Sequence, residues 1–445
     1  MKDTIAALAT PFGEGAIAVV RLSGAEASLV AGRAIGTAPE ALPAREVRLA
    51  RVMSAGGDIL DEVLVTSFPG PRSYTGEDVV EISCHGGVLV TQQVLQRLLA
   101  CGARLAEAGE FTQRAFLNGK MDLTQAEAVM DVISAQTELS LKAAQHQLDG
   151  RLGEETEALR RELLEVLAHV EAYIDFPEED IDAETGAGLL GRLDGVGERI
   201  DALLATADQG RILREGVRTV IYGKPNVGKS SLLNLLLGYE RAIVSEVAGT
   251  TRDTVEEVIN LGGIPVRLID TAGMREAGDE IEQRGVERTR RHLAEADLIL
   301  EVVDASASRQ LITTSEEREN AHHLLVCNKC DLPRHDDWKE SEGVAISCLE
   351  RSGLEDLTRM IGEELALGAG GWGQEAVAVN ARHQDCLRRA RQGLLAAREQ
   401  LSQGESPEFS AVDLRIALDA VGEVAGKVET EELLGEIFGR FCIGK

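Results

Sequence analysis

The stretch Gly223-Lys224-Pro225-Asn226-Val227-Gly228-Lys229-Ser230 constrains this chain more than any other. Two glycines five apart, followed by Lys and Ser, make a phosphate cradle when a strand precedes them and a helix follows. Both flanks comply: residues 217–222 (VRTVIY) read as a short strand, and residues 231–237 (SLLNLLL) as an apolar helix. Glycine lets the backbone wrap an anion, and the amides of the loop and helix N-terminus point inward at it. Asn226, Val227, Gly228, Lys229, Ser230 and Ser231 then line the phosphates. Lys229 pairs with the β- and γ-phosphates, and the Ser230 hydroxyl ligates Mg²⁺.

Around this loop, residues 214–367 alternate strands with helical or loop stretches. Strands are expected at 217–222, 264–270, 298–303, 323–327 and 343–347, which is the pattern of a doubly wound α/β domain. Four further stations follow in a consistent order. Gly249-Thr250-Thr251-Arg252-Asp253 offers Thr251 as a second hydroxyl on Mg²⁺. Asp270-Thr271-Ala272-Gly273 ends a strand, its Asp facing Mg²⁺ through water and its Gly amide the γ-phosphate. Asn328-Lys329-Cys330-Asp331 follows another strand. The Asp331 carboxylate accepts two hydrogen bonds from the N1 and N2 edge of guanine, which adenine lacks. Ser347-Cys348-Leu349 stands where a backbone amide meets guanine O6. Together the stations specify GTP. Cys327 and Cys330 also have C-x-x-C spacing, but with no partner pair or histidine cluster the Asn-Lys-x-Asp reading accounts for them better.

Methionine follows the Asp-x-x-Gly station, at position 274. Many GTPases carry there a glutamine that orients the attacking water, and methionine cannot. Hydrolysis must then place water and offset transition-state charge with other groups. Arg275, Glu280 and Glu282 in the following loop are candidates.

The 445 residues leave room for about three domains. Residues 1–118 read as an α/β or α+β unit, with strands at 17–22, 63–68 and 79–83 and a helix at 88–100. Amphipathic helices follow, one carrying Ala126, Val129, Ile133 and Leu141, another at 155–173 and a third reaching about 207. Helical character returns at 381–441, after a Gly-rich linker at 368–373. The domains therefore run 1–118, 119–210, 214–367 and 374–445. If the helices on either side of the nucleotide domain pack as one bundle, that domain is an insertion; two separate helical domains are the alternative. No run of about 18 apolar residues is present to span a membrane. Seven scattered cysteines suit a reducing cytoplasm. Net charge is −29, of which residues 1–120 contribute −2, with 11 Lys/Arg against 13 Asp/Glu. The acidic remainder repels polyanions, so any contact with nucleic acid is expected through local basic clusters and to be salt-sensitive.

Outside the GTP stations, specific motifs punctuate the chain. They are Thr10-Pro11…Gly15 with Arg21-Leu22-Ser23-Gly24, and Ser73-Tyr74-Thr75-Gly76-Glu77-Asp78 running to His85-Gly86-Gly87. Further on come Gly109-Glu110-Phe111-Thr112-Gln113-Arg114 with Ala115-Phe116-Leu117-Asn118-Gly119-Lys120, Asp175-Phe176-Pro177-Glu178-Glu179, and the terminal Phe441-Cys442-Ile443-Gly444-Lys445. On these residues the whole chain resembles the MnmE (TrmE) family of tRNA-modification GTPases, within the TrmE-Era-EngA-like superfamily. Phe12 and Ala108 are mild departures from its pattern. The resemblance implies a multidomain α/β protein: a folate-binding, dimerising α+β N-terminal domain, then a discontinuous helical domain with a P-loop GTPase domain inserted in it. It implies a homodimer that joins the FAD-dependent protein MnmG in a heterotetramer. Together they place an aminomethyl or carboxymethylaminomethyl group on C5 of the wobble uridine of certain tRNAs. For catalysis it implies G domains that dimerise around K⁺, with ligands from Asn226 and the loop Ser245-Glu246-Val247-Ala248-Gly249-Thr250. Asn226 and Thr250 give side-chain oxygens, Ser245 and Val247 carbonyls, and Glu282 orients the water. It implies 5-formyltetrahydrofolate or a related one-carbon folate on Arg21, Glu81, Lys120 and Lys445, and a chemical role for Cys442. A competing reading is a GTP-dependent ribosome-assembly or switch protein without covalent chemistry, which needs neither a folate site nor a terminal thiol.

Overall fold

The computed structural model describes residues 3–39, 42–175, 186–239, 257–269, 291–309, 321–338, 343–365, 378–404, 406–428 and 431–444. The chain forms two compact units, Met1–Met130 with Gly422–Lys445, and Asp131–Val421.

The first unit is built on six strands: β1 (Ile5–Leu8), β2 (Ile17–Ser23), β3 (Val47–Met53), β4 (Ile59–Phe68), β5 (Val79–His85) and β6 (Arg104–Leu105), in the order β3-β4-β5-β2-β1-β6. Every pairing is antiparallel except β1 with β6. Period-two alternation sends Val20, Leu22, Val63, Val65, Val80 and Ile82 into one core with helices Ala27–Ile35 and Val88–Ala100. A smaller cluster gathers Ile5, Ala7, Ala106 and Phe111 beside Tyr74. Val47, Leu49 and Leu64 instead remain exposed.

The loops that carry the sequence motifs are held by ion pairs around Arg114, on helix Glu110–Leu117. Its guanidinium is 1% exposed and bonds Glu110 at 2.8 Å, Asp3 at 3.0 Å and Glu77 at 3.1 Å. Arg104 grips Glu110 and Asp3 from the other side, each at 2.7 Å. Burial opposes ionisation of Glu110, but hydrogen bonds from Arg104, the Glu107 amide and Arg114 outweigh it and hold the carboxyl below its ordinary range. Asp3 is lowered by its hydrogen bond to Arg104, against a smaller desolvation. At the C-terminal end, the Phe438 ring packs at a tilt against Phe116 and Phe441, at 6.5 and 5.4 Å between ring centroids. Ile443 bridges to Ala108, and Gly444 lies against the Leu8 carbonyl, one strand from β2.

The second unit contains β7 (Val217–Gly223), β8 (Glu257–Leu261), β9 (Ile264–Leu268), β10 (Leu298–Asp304), β11 (His322–Asn328) and β12 (Val344–Ala345), in the order β12-β11-β10-β7-β9-β8. The expected α/β domain is present with one addition: β8, which pattern reading missed, pairs antiparallel with β9 at the edge, while the other pairings are parallel. The helices on either side of this domain in sequence pack against each other. Arg391 pairs with Asp201 and Arg398 with Asp194, joining Ala381–Gln403 to Gly186–Ala205, and Gly197 sits against Leu394. The nucleotide domain is thus inserted into a discontinuous helical domain. Leu141 does not continue the helix of Ala126, Val129 and Ile133. That helix ends at Ser134, and Thr137 caps a new one, Glu138–Leu148, by accepting from the Ser140 amide at 3.2 Å.

Replacing Arg114 by Ala leaves the buried Glu110 carboxylate to Arg104 alone and takes the cation from Glu77, and is expected to cost about 3 kcal/mol in denaturant unfolding of the first unit. Because the Glu110 and Asp3 carboxyls titrate below their unfolded values, their contribution is present above about pH 4 and is lost as pH falls through the lowered values. Thermal melts against pH should show that acid-side loss in the native protein and a flatter profile in Arg114→Ala.

Candidate functional site

β7 and β10 are neighbouring parallel strands, and their carboxyl ends open at the same edge. The loop after β7 turns there, with Asn226 in a left-handed conformation (φ 65°) and its side chain exposed. The Val227 side chain is buried in the domain core, which anchors the loop from beneath. Helix Lys229–Tyr239 follows. The Lys229 ammonium donates to the carbonyls of Gly223 (2.9 Å) and Lys224 (2.7 Å). Burial alone pulls it below the ordinary lysine range, so it gains by meeting an anion.

Asn328, at the end of β11, joins two stations. Its Nδ2 donates to the Val227 carbonyl at 2.8 Å, and its Oδ1 accepts from the Cys348 amide at 3.2 Å. The cradle and the Ser347-Cys348-Leu349 loop are therefore linked through one buried amide. The Cys348 N–H is thereby occupied, so an amide facing guanine O6 must come from elsewhere in that loop. Ser347 donates to the Asp331 carboxylate at 2.5 Å and accepts from the Glu350 amide, fixing Asp331 in orientation. Cys327 is buried in a cluster with Trp338 while Cys330 is exposed, so the C-x-x-C pair diverges. Lys329 reaches Asp304, at the end of β10, at 2.5 Å. Sequence reading missed Asp304. Its signal was the last position of an apolar strand at the carboxyl edge of a parallel sheet, where ligands bind.

Of the sequence-expected residues, Ser245, Glu246, Val247, Ala248, Gly249, Thr250, Thr251, Asp270, Thr271, Ala272, Gly273, Met274, Arg275, Glu280, Glu282 and Lys445 lie outside the described residues.

In the first unit, β2–β5 register sets Arg21 opposite Glu81, and their side chains pair at 2.9 Å. The Arg21 guanidinium lies 5.3 Å from the Tyr74 ring centroid and 5.8 Å from that of Phe111. Its Nη1 is buried and has no hydrogen-bond partner. A buried guanidinium N–H without an acceptor is costly, and a carboxylate or carbonyl of a bound molecule relieves it. Lys120 donates to the Pro71 carbonyl at 3.1 Å, on the loop that carries Tyr74. Cys442 is exposed, with its carbonyl facing the Gly109 amide at 3.5 Å.

Comparison with known proteins covers the chain from end to end. The family model described as GTP-binding protein TrmE N-terminus matches residues 4–120, and the MnmE helical domain model matches residues 123–442. A protein of Akkermansia muciniphila named tRNA modification GTPase MnmE is 54% identical over 100% of this chain and 99% of its own length. Proteins of the same name from Chloroflexus aurantiacus and Aquifex aeolicus are 48% and 45% identical, over the full length of both chains. Among solved structures, the G domain of the Thermotoga maritima FeoB iron transporter is 29% identical, covering 33% of this chain and 96% of that one, with a TM-score of 0.25.

A Cβ at Gly228, where φ is 103°, would overlap the Asn328 amide. Gly228→Ala is therefore expected to weaken guanine-nucleotide binding about 10–100-fold while the fold is kept. Titration with a fluorescent GTP analogue beside circular dichroism checks this.

Proposed function

The chain belongs to the MnmE family of tRNA modification GTPases and is itself a GTP hydrolase, and from that premise we propose that hydrolysis drives wobble-uridine modification. In this reading the protein acts with the FAD-dependent protein MnmG, in the cytoplasm. The product is an aminomethyl or carboxymethylaminomethyl group on C5 of the wobble uridine of certain tRNAs. The observation that carries the nucleotide half is the Asn328 amide, which ties the phosphate cradle to the Ser347 loop while Asp331 stands fixed beside it. Similarity over the full length of named relatives supports the tRNA half. No helix of the described residues is long and apolar enough to cross a membrane.

Lys229 holds the β- and γ-phosphates, trading its two carbonyl partners for phosphate oxygens. Ser230, exposed in the first turn of its helix, and Thr251 hold Mg²⁺. Asn226, exposed at the outer turn of the cradle, offers its side-chain oxygen to K⁺ together with Ser245, Val247 and Thr250. These two cations, when bound, neutralise charge that develops on the transferring phosphoryl group. Glu282 orients the water that Met274 cannot. Among the described residues no cluster of three His, Cys, Asp or Glu side chains could form an all-protein metal cage. Oxygen donors beside a phosphate cradle are the kind of set that Mg²⁺ takes.

Homodimerisation is supported by the exposed Val47, Leu49 and Leu64 on β3 and β4, where Leu49 and Leu64 face each other in register. A one-carbon folate such as 5-formyltetrahydrofolate fits the Arg21 cluster. The orphaned Nη1 receives an acceptor, Glu81 takes donors of a pterin edge, and Lys120 and Lys445 take carboxylates. The half-buried Tyr74 ring, beside the Arg21 guanidinium, gives a flat ligand a surface to pack on. Cys442, an exposed free thiol, serves in this reading as a nucleophile in the modification chemistry.

GTP hydrolysis in K⁺ is expected to exceed that in Na⁺ by roughly 10-fold or more, and Asn226→Ala should erase the difference. Equal rates in the two salts remove the K⁺ assignment. Nucleoside analysis of tRNA from a deletion strain should show unmodified wobble uridine, restored by the native gene. Unchanged tRNA would overturn the reading in favour of a GTP-dependent switch.

A further inference from the structure

Asp304 closes β10 at the edge where the nucleotide stations converge, and nothing in the phosphate or guanine motifs includes it. Its Oδ2 meets the Lys329 ammonium at 2.5 Å. Its Oδ1 accepts from the Ser306 amide at 2.9 Å and from the Ser306 hydroxyl at 2.6 Å. Burial works against the charged form, but these hydrogen bonds prevail and hold the Asp304 carboxyl below its ordinary range. Both oxygens are thus used, and the carboxylate cannot rotate without breaking a bond.

Lys329 is the second residue of the Asn-Lys-x-Asp station and adopts a left-handed backbone (φ 64°), which costs a residue with a Cβ. Its neighbour Asn328 is bonded to the cradle. Two residues on, Asp331 is bonded to Ser347. Lys329 is therefore fixed at its backbone by the station and at its tip by Asp304, with its four-carbon stem stretched between the ends of β11 and β10. That stem lines a cleft of about 250 Å³ together with Lys224, Asn226, Val227, Asp304 and Trp338. A lysine released from Asp304 would recover its rotamer freedom, and binding a base against it would forfeit that freedom again.

We propose that Asp304 is a positioning residue for guanine-nucleotide binding, acting through Lys329 by holding its side chain extended along the base-binding station before nucleotide arrives. The inference rests on the GTP reading of that station. It adds a residue on a different strand, with a role in affinity and none in bond cleavage.

The test is equilibrium binding of fluorescent GTP and GDP analogues to the full-length protein, with steady-state hydrolysis alongside. Asp304→Asn keeps the shape and removes the charge. It is expected to raise Kd for both nucleotides about 10-fold, with the loss in hydrolysis falling on KM and not on kcat. Ser306→Ala, which loosens the same carboxylate with its charge intact, should move Kd in the same direction by less. The deciding measurement is the double mutant. In a Lys329→Ala background, Asp304→Asn should cost nothing further, because its only route to the nucleotide is gone. Unchanged Kd in Asp304→Asn, or a full additive loss in the double mutant, overturns the inference while wild-type binding still upholds the GTP reading. If wild-type protein binds no guanine nucleotide, the GTP reading falls and this inference with it.

Discussion

One side-chain amide organises the nucleotide end of this protein. Asn328 donates to the cradle at Val227 and accepts from the loop at Cys348, so three chain segments distant in sequence share a single buried group. A buried amide in this position must satisfy both its donor and its acceptor, and each has a backbone partner here. That requirement fixes the spacing between the phosphate cradle and the residues that face the base. The parallel β10–β7 and β10–β11 pairings supply the platform, because parallel register brings the carboxyl ends of all three strands to one edge.

The first unit solves a different problem with charge. Its motif loops contain few apolar residues, and the cluster they cover around Phe111 is small. Cohesion comes from Arg114, which is buried and gathers Asp3, Glu77 and Glu110 from three parts of the chain. Such a network contributes geometric definition more reliably than net stability, since desolvation offsets much of the attraction. Definition is what the adjacent Arg21 cluster requires. Ser23, Thr75 and Glu77 hydrogen-bond in sequence beside it, and so the Arg114 network and the Tyr74 loop share a carboxylate.

Much of this was legible in the chain, and the reason is locality. The cradle is a contiguous stretch, and its strand and helix appear where expected, at Val217–Gly223 and Lys229–Tyr239. Asn328 and Asp331 were found because one short motif contains both. What escaped was set by contacts between distant segments. β1 (IAAL) is too short and too continuously apolar to show alternation, and β3 turns Val47 and Leu49 outward. β8 (EVINL) is only five residues long, and Glu257 and Asn260 interrupt its apolar run. Asp304 and Arg114 each act through partners far away in sequence, so no window of residues displays their role. Arg21 and Glu81 were named from resemblance alone, and their pairing depends on β2–β5 register, which no local pattern specifies.

The way the nucleotide domain is inserted also follows from packing more than from linker composition. Its entry point is not a loose tether: Ile212, Leu213 and Val217 are all buried in the same core as the strands of the sheet. Ser140 donates to the Leu213 carbonyl at 2.5 Å, and Arg214 pairs with Asp131 at 2.7 Å, binding that entry to the preceding helices. At the opposite strand edge, the β8–β9 turn brings Gly263 against Leu139, where a Cβ would stand 2.8 Å from the leucine Cγ. Ala143, one turn further along the same helix, is buried among the nucleotide-domain side chains. The Glu138–Leu148 helix is therefore part of the wall of the α/β domain although it precedes that domain by some 70 residues in sequence. Close-packed interiors transmit displacement because they have little room to absorb it. The β8–β9 hairpin and this helix are in direct contact, so they move together or must repack. Insertion here gives two domains that share a core, and their boundary in sequence is not a boundary in mechanics.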